Sequence, residues 1–481
     1  MTDNSALFTD FYSLTMAQGY WKQSRNRKAV FEMFFRRQPF GGGYAIFAGL
    51  GTLLENLASF TFSGEDIDYL RGLNLFEEQF LAYLKDFRFS GSLWAIDEGT
   101  VVFPQEPLIR IEGSLIECQL IEGMLLNIIN FQSLIATKTR RTWLASGEGT
   151  IMEFGLRRAQ GPDGAMSASR AAYIGGAKGT SNTLAGKTFG IPTLGTMAHS
   201  WVMAFPTEGE AFDAYADLYP NNAVFLIDTY DTLKSGILSA INTGKKLREQ
   251  GKNFGVRLDS GDIQYLSSEV RKMLDNAGLN RATITASSDL DELIIETLVN
   301  SGAPVDVWGV GTRMVTGGGD SAFTGVYKVA ACEDADGQMV PVMKFSDNPE
   351  KTTNPGLKQV WRIRDTHGAA LADVLALDSD DIETLEPGSR TRFWHPSADY
   401  RHFYHIIETP PQPLLQKRFA NGEPCGTQPT LDEIRSHSAA DLESFDTTYK
   451  RLLNPHGYKV SITEKLRNVK LELIKSHLGD L

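Results

Sequence analysis

Cationic side chains are concentrated in one glycine-rich stretch of this sequence, EFGLRRAQGPDGAMSASRAAYIGGAKGTSNTLAG, at residues 153–186. Arginine binds carboxylate or phosphate through paired hydrogen bonds, and glycine lets backbone amides approach an anion closely. Any one of these cations could instead lie in a solvated loop, so it is their clustering that favours an anion-binding site. The cations are Arg157, Arg158, Arg170 and Lys178, with Lys187 just beyond the stretch.

The segment VRLDSGD places Arg257 and Asp259 two residues apart in a strand-like run. Side chains at this spacing point to the same side of an extended strand. A cation and a carboxylate that face one pocket could hold an acidic substrate and either a sugar hydroxyl or Mg²⁺. The alternative is an internal ion pair between the two neighbours, which is the usual role of an isolated Arg-x-Asp.

The segment WGVGTRMVTGGGD at residues 308–320 is rich in glycine after an apolar run. It lacks the GK[ST] ending of a Walker A motif and is not a full dinucleotide-binding fingerprint. A turn whose amides cradle a phosphate and a plain loop are both compatible with it.

His199 lies in GIPTLGTMAHSW and is one of only 8 histidines in the chain. A lone histidine is more often structural than catalytic, but its place just after a strand-like run favours a functional role. Imidazole can act as a general base, as a metal ligand or as a nucleophile towards phosphorus. No second histidine or carboxylate stands at metal-binding spacing, which disfavours a metal site.

Strand-like runs alternate with helical patterns from about residue 150 onward, which indicates a parallel sheet. Polar side chains follow the ends of these runs, and in an α/β barrel that is the face where ligands bind. A doubly wound sheet would also place a site there, so only the number of runs favours the barrel. The runs are TIMEF (150–154), PTLG (192–195), AVFLID (223–228), FGVRLD (254–259), ATITAS (282–287), VDVWGVG (305–311) and VYKVAAC (326–332); the polar residues are Arg157, His199, Asp228, Asp259, Ser288 and Thr312.

The remaining chain has other patterns. Short alternating runs between residues 91 and 117 indicate antiparallel strands, and ECQLIEGMLLNIINFQSLIATKTRR indicates a helix that leads into the barrel. An amphipathic helix is predicted near the C-terminus, over residues 461–478. We therefore predict an α+β sandwich domain at 1–135, a catalytic α/β barrel at 136–345 and a C-terminal region at 346–481 that packs on both.

Composition indicates a globular protein, with 42% hydrophobic and 22% charged residues. The net charge of −12 disfavours nucleic acid or an anionic membrane as the main partner. Neither a signal peptide nor a membrane span is expected, so a cytoplasmic location is predicted. The three cysteines, Cys118, Cys332 and Cys425, are widely separated and are expected to be free thiols.

Eight segments, in order from residue 9 to residue 317, closely resemble the nicotinate phosphoribosyltransferase family. The resemblance implies an irregular seven-stranded α/β barrel with an N-terminal sandwich domain, and a homodimer with active sites at the subunit interface. It also implies that nicotinate and 5-phosphoribosyl 1-diphosphate give nicotinate mononucleotide and pyrophosphate, with Mg²⁺ and coupled ATP hydrolysis, as an entry step to NAD. The segments are TDFYSLTMAQGYW, FEMFFRRQPFGGGYAIFAGL, EFGLRRAQGPDGAMSAS, GTMAHSW, DTYDTLKSG, GVRLDSGD, ASSDLDE and GVGTRMVTG.

Residue roles follow from the same resemblance. His199 corresponds to a histidine that ATP phosphorylates. Phe154 and Tyr12 correspond to the two aromatic residues that sandwich the pyridine ring, and Tyr12 comes from the neighbouring subunit. From its chemistry rather than from the resemblance, Asp259 is expected at the ribose hydroxyls or at Mg²⁺-bound water, and no residue is assigned as a direct metal ligand. Thr196 and Arg257 correspond to residues at or near nicotinate, with Arg157 as a further candidate; Gly311 and Thr312 correspond to the ribose-phosphate loop, with Ser288 and Asp289 nearby.

Two other functions stay open at this stage. In nicotinamide phosphoribosyltransferases an aspartate typically follows the Gly-Thr of the segment matching GTSNTLAG, whereas this chain has Ser181, which favours a carboxylate substrate. A catalytically silent relative that binds metabolites is the second alternative, since fold does not imply function. The sequence assigns no role to Asp228 or Asp231.

Overall fold

The computed structural model describes residues 5–346, 351–398 and 400–478. The chain forms two compact units, one from residues up to Leu134 together with Ala322 onward, the other from Ile135–Ser321. The three domains predicted from the sequence pattern, with boundaries at 135 and 345, stay a prediction.

Six parallel strands form the sheet of the second unit. Their central residues are buried and mostly aliphatic, as parallel strands covered on both faces require. The predicted parallel α/β architecture is therefore confirmed. In spatial order the strands are Gly179–Thr180, Thr150–Glu153, Val307–Val310, Thr283–Ser287, Gly255–Leu258 and Val224–Leu226.

The seventh predicted run, residues 326–332, was assigned to the wrong sheet. It lies in strand Gly325–Glu333, which pairs antiparallel with Lys28–Phe35 in the first unit. The parallel sheet instead contains Gly179–Thr180, which was not predicted because two small residues give no hydrophobic period. A continuous apolar run fits either kind of sheet, so its sequence could not assign it.

The run at 192–195 contributes a single parallel bridge, between Thr193 and Thr180, to one edge of this sheet. In the described part of the chain no backbone ladder joins that edge to Val224–Leu226 at the other. Side chains meet there instead: His199 Nδ1 lies 3.1 Å from Thr229 Oγ1. The sheet is therefore strongly curled, and its closure into a seven-stranded barrel stays a prediction.

Helices follow the strands, and aspartates cap several of them. Asp231, Asp262 and Asp291 each accept backbone N–H bonds at a helix start, the first from Leu233 and Lys234. Asp231 is thus explained as a cap that fixes the turn after the edge strand. The helices are Gly161–Ile174, Thr183–Phe189, His199–Met203, Glu208–Leu218, Ile237–Glu249, Ile263–Asn276, Glu292–Asn300 and Thr312–Val315, with a π-helical turn at Thr232–Gly236 and a 3₁₀ turn at Leu156–Arg158.

The first unit contains a seven-stranded antiparallel sheet, which confirms the antiparallel strands predicted within residues 91–117. A six-stranded sheet built from C-terminal residues and a two-stranded pair accompany it. The larger sheet runs Met339–Pro341, Gly325–Glu333, Lys28–Phe35, Ile109–Ser114, Ser92–Ala95, Gln416–Ala420 and Glu423–Pro424; the other runs His402–Ile406, Arg390–Trp394, Val460–Ile462, Ala370–Leu377, Lys358–Arg364 and Gln412–Pro413; the pair is Ala45–Ile46 and Val101–Val102.

A phenylalanine-rich core fills this unit beneath its helices, and the sandwich arrangement of its layers stays a prediction. The predicted C-terminal helix is confirmed and begins at Glu464, and all three cysteines are free. None of the described helices combines the length and apolar character that crossing a bilayer would require. The helices are Phe11–Lys22, Leu50–Ala58, Gly64–Gly72, Glu78–Lys85, Leu115–Leu120, Leu431–Glu443, Thr447–Lys450 and Glu464–Leu478, and Glu122–Ala145 continues into the second unit.

Gly236 sits against the end of the edge strand, and a Cβ there would lie 1.9 Å from the carbonyl oxygen of Ile227. We expect Gly236→Ala to lower the free energy of unfolding by about 1–3 kcal/mol, because backbone must shift to admit the methyl group. Gly209→Ala is the control, since its Cβ would meet nothing closer than Thr207 Oγ1 at 4.0 Å. Urea unfolding midpoints measure both, and equal midpoints would contradict the close packing at Gly236.

Candidate functional site

A polar cleft of about 210 Å³ opens where the parallel strands of the second unit end. Loops after Thr150–Glu153, Gly255–Leu258, Thr283–Ser287 and Val307–Val310 supply its walls, which is the strand-end face that the sequence predicted. It brings together these residues named from the sequence: Phe154, Arg157, Arg158, Arg257, Asp259, Ser288, Asp289, Gly311 and Thr312.

Arg257 holds the floor of the cleft together. Its Nε donates to Ser287 Oγ at 2.8 Å, and its Nη1 donates to Thr196 Oγ1 at 2.6 Å and to the Met197 carbonyl at 3.2 Å. Its Nη2 donates to Asp259 Oδ1 at 2.9 Å, so the internal ion pair that the sequence left open is present. Guanidinium has five N–H donors. These four contacts therefore leave one N–H without a partner among the described residues, on the side chain that lines the cleft.

Asp259 is held as a carboxylate. Its side chain is 31% exposed. Burial by itself would raise the pKa of the carboxyl, but hydrogen bonds from Ser287 and Arg257 and the charges of Arg257 and His199 outweigh it and lower the pKa below its usual value. Asp259 therefore keeps its negative charge throughout the neutral range and cannot act there as a proton donor.

Asp228 fixes the loop that carries Asp259. Its Oδ2 accepts from the backbone N–H of Asp259 at 2.9 Å and from Ser260 Oγ at 2.6 Å. Its Oδ1 is buried and has no hydrogen-bond partner in the described residues. No role was predicted for Asp228 from the sequence. The structure makes it the support of the loop after Gly255–Leu258, with one carboxylate oxygen that has no partner among the described residues.

His199 begins the short helix His199–Met203, and its side chain is 41% exposed. Nδ1 contacts Thr229 Oγ1 at 3.1 Å, and Nε2 lies 3.8 Å from Asp259 Oδ2. The ring is thus oriented by groups that follow two other strands and stays accessible to solvent. An accessible, oriented imidazole next to a carboxylate is suited to nucleophilic or acid–base chemistry.

Phe154 supplies an apolar face in an otherwise polar cleft. The Arg257 guanidinium lies 5.9 Å from its ring centroid, and a Cβ on Gly309 would come within 2.8 Å of the ring. Gly309 therefore leaves room for the ring close to the strand, where it is suited to stacking on a planar ligand.

The cations of residues 153–186 separate into two groups. Arg157 and Arg158 lie on the 3₁₀ turn Leu156–Arg158 and line the cleft. Lys178 and Lys187 are exposed and do not line it, and Arg170 is buried. The predicted cation cluster thus reduces to its two N-terminal arginines plus Arg257, because the intervening helix Gly161–Ile174 carries the other cations away from the strand end.

Tyr12 lies in the first unit, on helix Phe11–Lys22, and is 47% exposed. Burial, followed by the charge of Glu122 and a hydrogen bond to it, raises the pKa of its hydroxyl to about 12. Tyr12 is therefore a neutral hydrogen-bonding group. Its predicted place at the site of a neighbouring subunit stays a prediction.

Ser287 is a cleft residue that the sequence did not single out. It hydrogen-bonds both Arg257 and Asp259, because residue 285 pairs with 257 and side chains at 285 and 287 share one face. The signal was present in TITAS, where the hydroxyl residues Thr283, Thr285 and Ser287 alternate with the apolar residues Ile284 and Ala286.

Family models and individual relatives both match this chain to the same protein family. The model of the nicotinate phosphoribosyltransferase family matches residues 150–372, and the models of that enzyme's N-terminal and C-terminal domains match residues 7–130 and 357–470. The nicotinate phosphoribosyltransferase of Bacillus subtilis (strain 168) is 42% identical over 474 residues, which cover 98% of this chain and 96% of that protein.

Solved structures agree. A crystal structure of human nicotinic acid phosphoribosyltransferase superposes with a TM-score of 0.83 at 31% identity, covering 97% of this chain and 99% of that one. Nicotinate-nucleotide pyrophosphorylase from Pyrococcus furiosus, at 23% identity, has a TM-score of 0.71 with 91% and 95% coverage, and shares the fold.

The lowered pKa of Asp259 predicts a pH-dependent stability. A carboxyl with a lower pKa in the folded state stabilises the fold above its unfolded pKa, and this contribution is lost as the pH falls through the folded value. We expect Asp259→Asn to cost roughly 1–2 kcal/mol at pH 7, with the cost shrinking below about pH 4. Urea unfolding from pH 7 to pH 3 measures it. The exposed carboxylate Asp217 gives the control Asp217→Asn, and a pH-independent cost at Asp259 would contradict the assignment.

Proposed function

Because this chain belongs to the nicotinate phosphoribosyltransferase family, we propose that it joins nicotinate to 5-phosphoribosyl 1-diphosphate, giving nicotinate mononucleotide and pyrophosphate. The observation that carries this proposal is the cleft itself. One apolar ring, three arginines and a glycine-rich loop converge there at the ends of parallel strands.

Nicotinate is held by its ring and by its carboxylate. Phe154 stacks on the pyridine ring, and the remaining N–H of Arg257, together with Arg157, binds the carboxylate. Ser181 in place of an aspartate leaves no acidic group at that position to repel the carboxylate, so nicotinate is favoured over nicotinamide.

The phosphoribosyl donor occupies the other side of the cleft. Gly311 and Thr312 offer backbone and hydroxyl donors to the 5-phosphate, with Ser288 close by. Asp259, held ionised, accepts from a ribose hydroxyl. These contacts set the ribose C1 near the pyridine nitrogen.

The reaction then needs positioning rather than a strong base. The lone pair of the pyridine nitrogen forms the bond to C1 as the C1–O bond to diphosphate breaks, and both bonding electrons leave with the diphosphate. Positive charge builds on the ribose, where the carboxylate of Asp259 offsets it.

Mg²⁺ fits the acidic side of this site. Asp228 has a buried carboxylate oxygen without a partner among the described residues, and hard cations prefer such oxygens. When bound there with the donor's diphosphate, Mg²⁺ would neutralise the charge of the leaving group. The hydrogen bonds that Asp228 accepts from the Asp259 N–H and the Ser260 hydroxyl hold that loop in place without a metal ion.

ATP hydrolysis is coupled through His199 in this proposal. An imidazole nitrogen attacks the γ-phosphorus, a P–N bond forms, and ADP leaves with the electrons of the broken P–O bond. Thr229 and Asp259 orient the ring for this attack. Phosphorylated His199 would place negative charge beside the Asp259 loop and so couple ATP to binding and release in the cleft.

A closed seven-stranded barrel and a homodimer complete the proposal. The single bridge at Thr193 and the His199–Thr229 contact support closure of the curled sheet. The exposed Tyr12 supports a dimer in which it covers the pyridine ring of a neighbouring active site.

The activity is tested by pyrophosphate release from the phosphoribosyl donor with Mg²⁺, comparing nicotinate with nicotinamide, each with and without ATP. We expect turnover with nicotinate, stimulation by ATP and little turnover with nicotinamide, because Ser181 supplies no acceptor for an amide N–H. No release with either substrate would favour a catalytically silent binding protein, and preference for nicotinamide would overturn the substrate assignment.

His199→Ala is expected to abolish labelling by the γ-phosphate of ATP and stimulation by ATP, while the ATP-independent reaction partly survives. The label on the wild type should be labile to acid and stable to base, as a phosphohistidine is. His367→Ala, at an exposed histidine of the first unit, is the matched control. Base-stable label that persists in His199→Ala would remove this histidine from the mechanism.

Arg257→Ala is expected to raise the KM for nicotinate at least about tenfold, because a charged hydrogen bond to the carboxylate is lost. Steady-state kinetics at saturating phosphoribosyl donor measure this, with the exposed Arg281→Ala as control. Wild-type nicotinate kinetics in Arg257→Ala would exclude Arg257 from the nicotinate site.

A further inference from the structure

A second cavity lies within the first unit, and none of its lining residues is shared with the polar cleft. Its volume is about 640 Å³, within the range of small-molecule sites. Four segments line it: residues 36–43, residues 103–105, residues 395–397 together with 401 and 403, and residues 455–460. We call it the cationic pocket.

The pocket is positive although the whole chain carries −12. Arg36, Arg401 and Lys459 line it, together with His395 and His456, and no aspartate or glutamate is among the lining residues that the structure describes. Lys470 adds a buried charge behind the rim, where its Nζ donates to the Pro396 carbonyl at 2.7 Å.

One of the two lining histidines, His395, is affected by these positive charges. Burial, and then the positive charges of Arg401 and Lys470, lower the pKa of His395. No aspartate or glutamate among the described lining residues offsets the lining cations, so an anionic ligand would reduce their mutual repulsion.

Two polar atoms at the pocket have no partner. Arg36 Nε and Gln38 Oε1 are both buried without a hydrogen bond among the described residues, and both side chains line the cavity. Native proteins seldom leave buried donors and acceptors unpaired. If these two side chains turn towards a bound molecule, the Arg36 N–H needs an acceptor on that molecule and the Gln38 oxygen needs a donor. The ligand must therefore carry both kinds of group.

Aromatic side chains form another part of the lining, which we call the aromatic wall: Phe103, Phe403 and Tyr458. Phe103 stacks on Tyr458 with ring centroids 4.0 Å apart, and the Arg401 guanidinium lies 6.0 Å from the centroid of Phe403. Such a wall suits a planar ring, whereas a free inorganic anion would gain nothing from it.

From these observations we propose that the cationic pocket binds a nucleoside phosphate, with its phosphates on Arg36, Arg401 and Lys459, its sugar or base on Gln38, and its base against the aromatic wall. All lining residues of this site lie in the first unit, and none of them has a part in the proposed reaction.

The test uses the full-length protein and adenosine diphosphate as the probe, with calorimetry for affinity and hydrogen exchange for location. We expect binding that protects the backbone amides of residues 36–43 and 455–460. Arg401→Glu with Lys459→Glu should weaken that binding at least about tenfold, because two charge-assisted contacts become repulsive. Arg25→Glu with Lys85→Glu, at exposed cations of the same unit outside the pocket, should not.

The variant Arg257→Ala separates this site from the polar cleft, and it should keep the protection at 36–43 and 455–460 even if catalysis is lost. Unchanged affinity in Arg401→Glu/Lys459→Glu, or absence of protection in the wild type, would overturn the proposal. Inorganic pyrophosphate should bind at least about tenfold more weakly than adenosine diphosphate, since it has no ring to stack. Equal affinity would reduce the pocket to a general anion site and overturn the nucleoside assignment.

Discussion

The guanidinium of Arg257 is the interaction on which the candidate site depends. It ties the segment at Thr196 and Met197 to Ser287 and Asp259, so that the ends of separate strands are held at fixed distances. A planar, permanently charged fork can satisfy several acceptors at once, which a lysine cannot do in this geometry. Arg257 thereby also fixes the carboxylate that lies 3.8 Å from His199 Nε2, whereas Thr229 contacts the other ring nitrogen.

The same interaction sets the electrostatics of the cleft. Asp259 is stabilised as an anion by Arg257 and Ser287, while Arg157 and Arg158 are left to face a ligand. The cleft therefore offers both signs of charge within a small volume, as a reaction that separates charge requires. Cations are concentrated locally in a chain of net charge −12, and this holds for the cationic pocket as well.

Local patterns predicted the strands of the parallel sheet well where the strands were apolar and several residues long. Thr283–Ser287 and Val307–Val310 were identified because their runs are bounded by clear turn residues. Gly179–Thr180 was missed, and Gly325–Glu333 was placed in the wrong sheet, because pairing partners are chosen by contacts distant in sequence. The hydrophobicity of a segment indicates that it is buried, but it does not indicate which other segment it pairs with.

The sequence by itself determined the family, the kind of fold and most of the residues that line the cleft, because strand-end positions and residue types are local properties. Tertiary structure alone decided which of those residues meet. It joined His199 to Thr229 across the edges of the curled sheet, gave Asp228 the support of the Asp259 loop, and added Ser287 beneath Arg257. These are contacts of side chains about thirty residues apart, and they depend on strand register and sheet curvature, which no local pattern specifies.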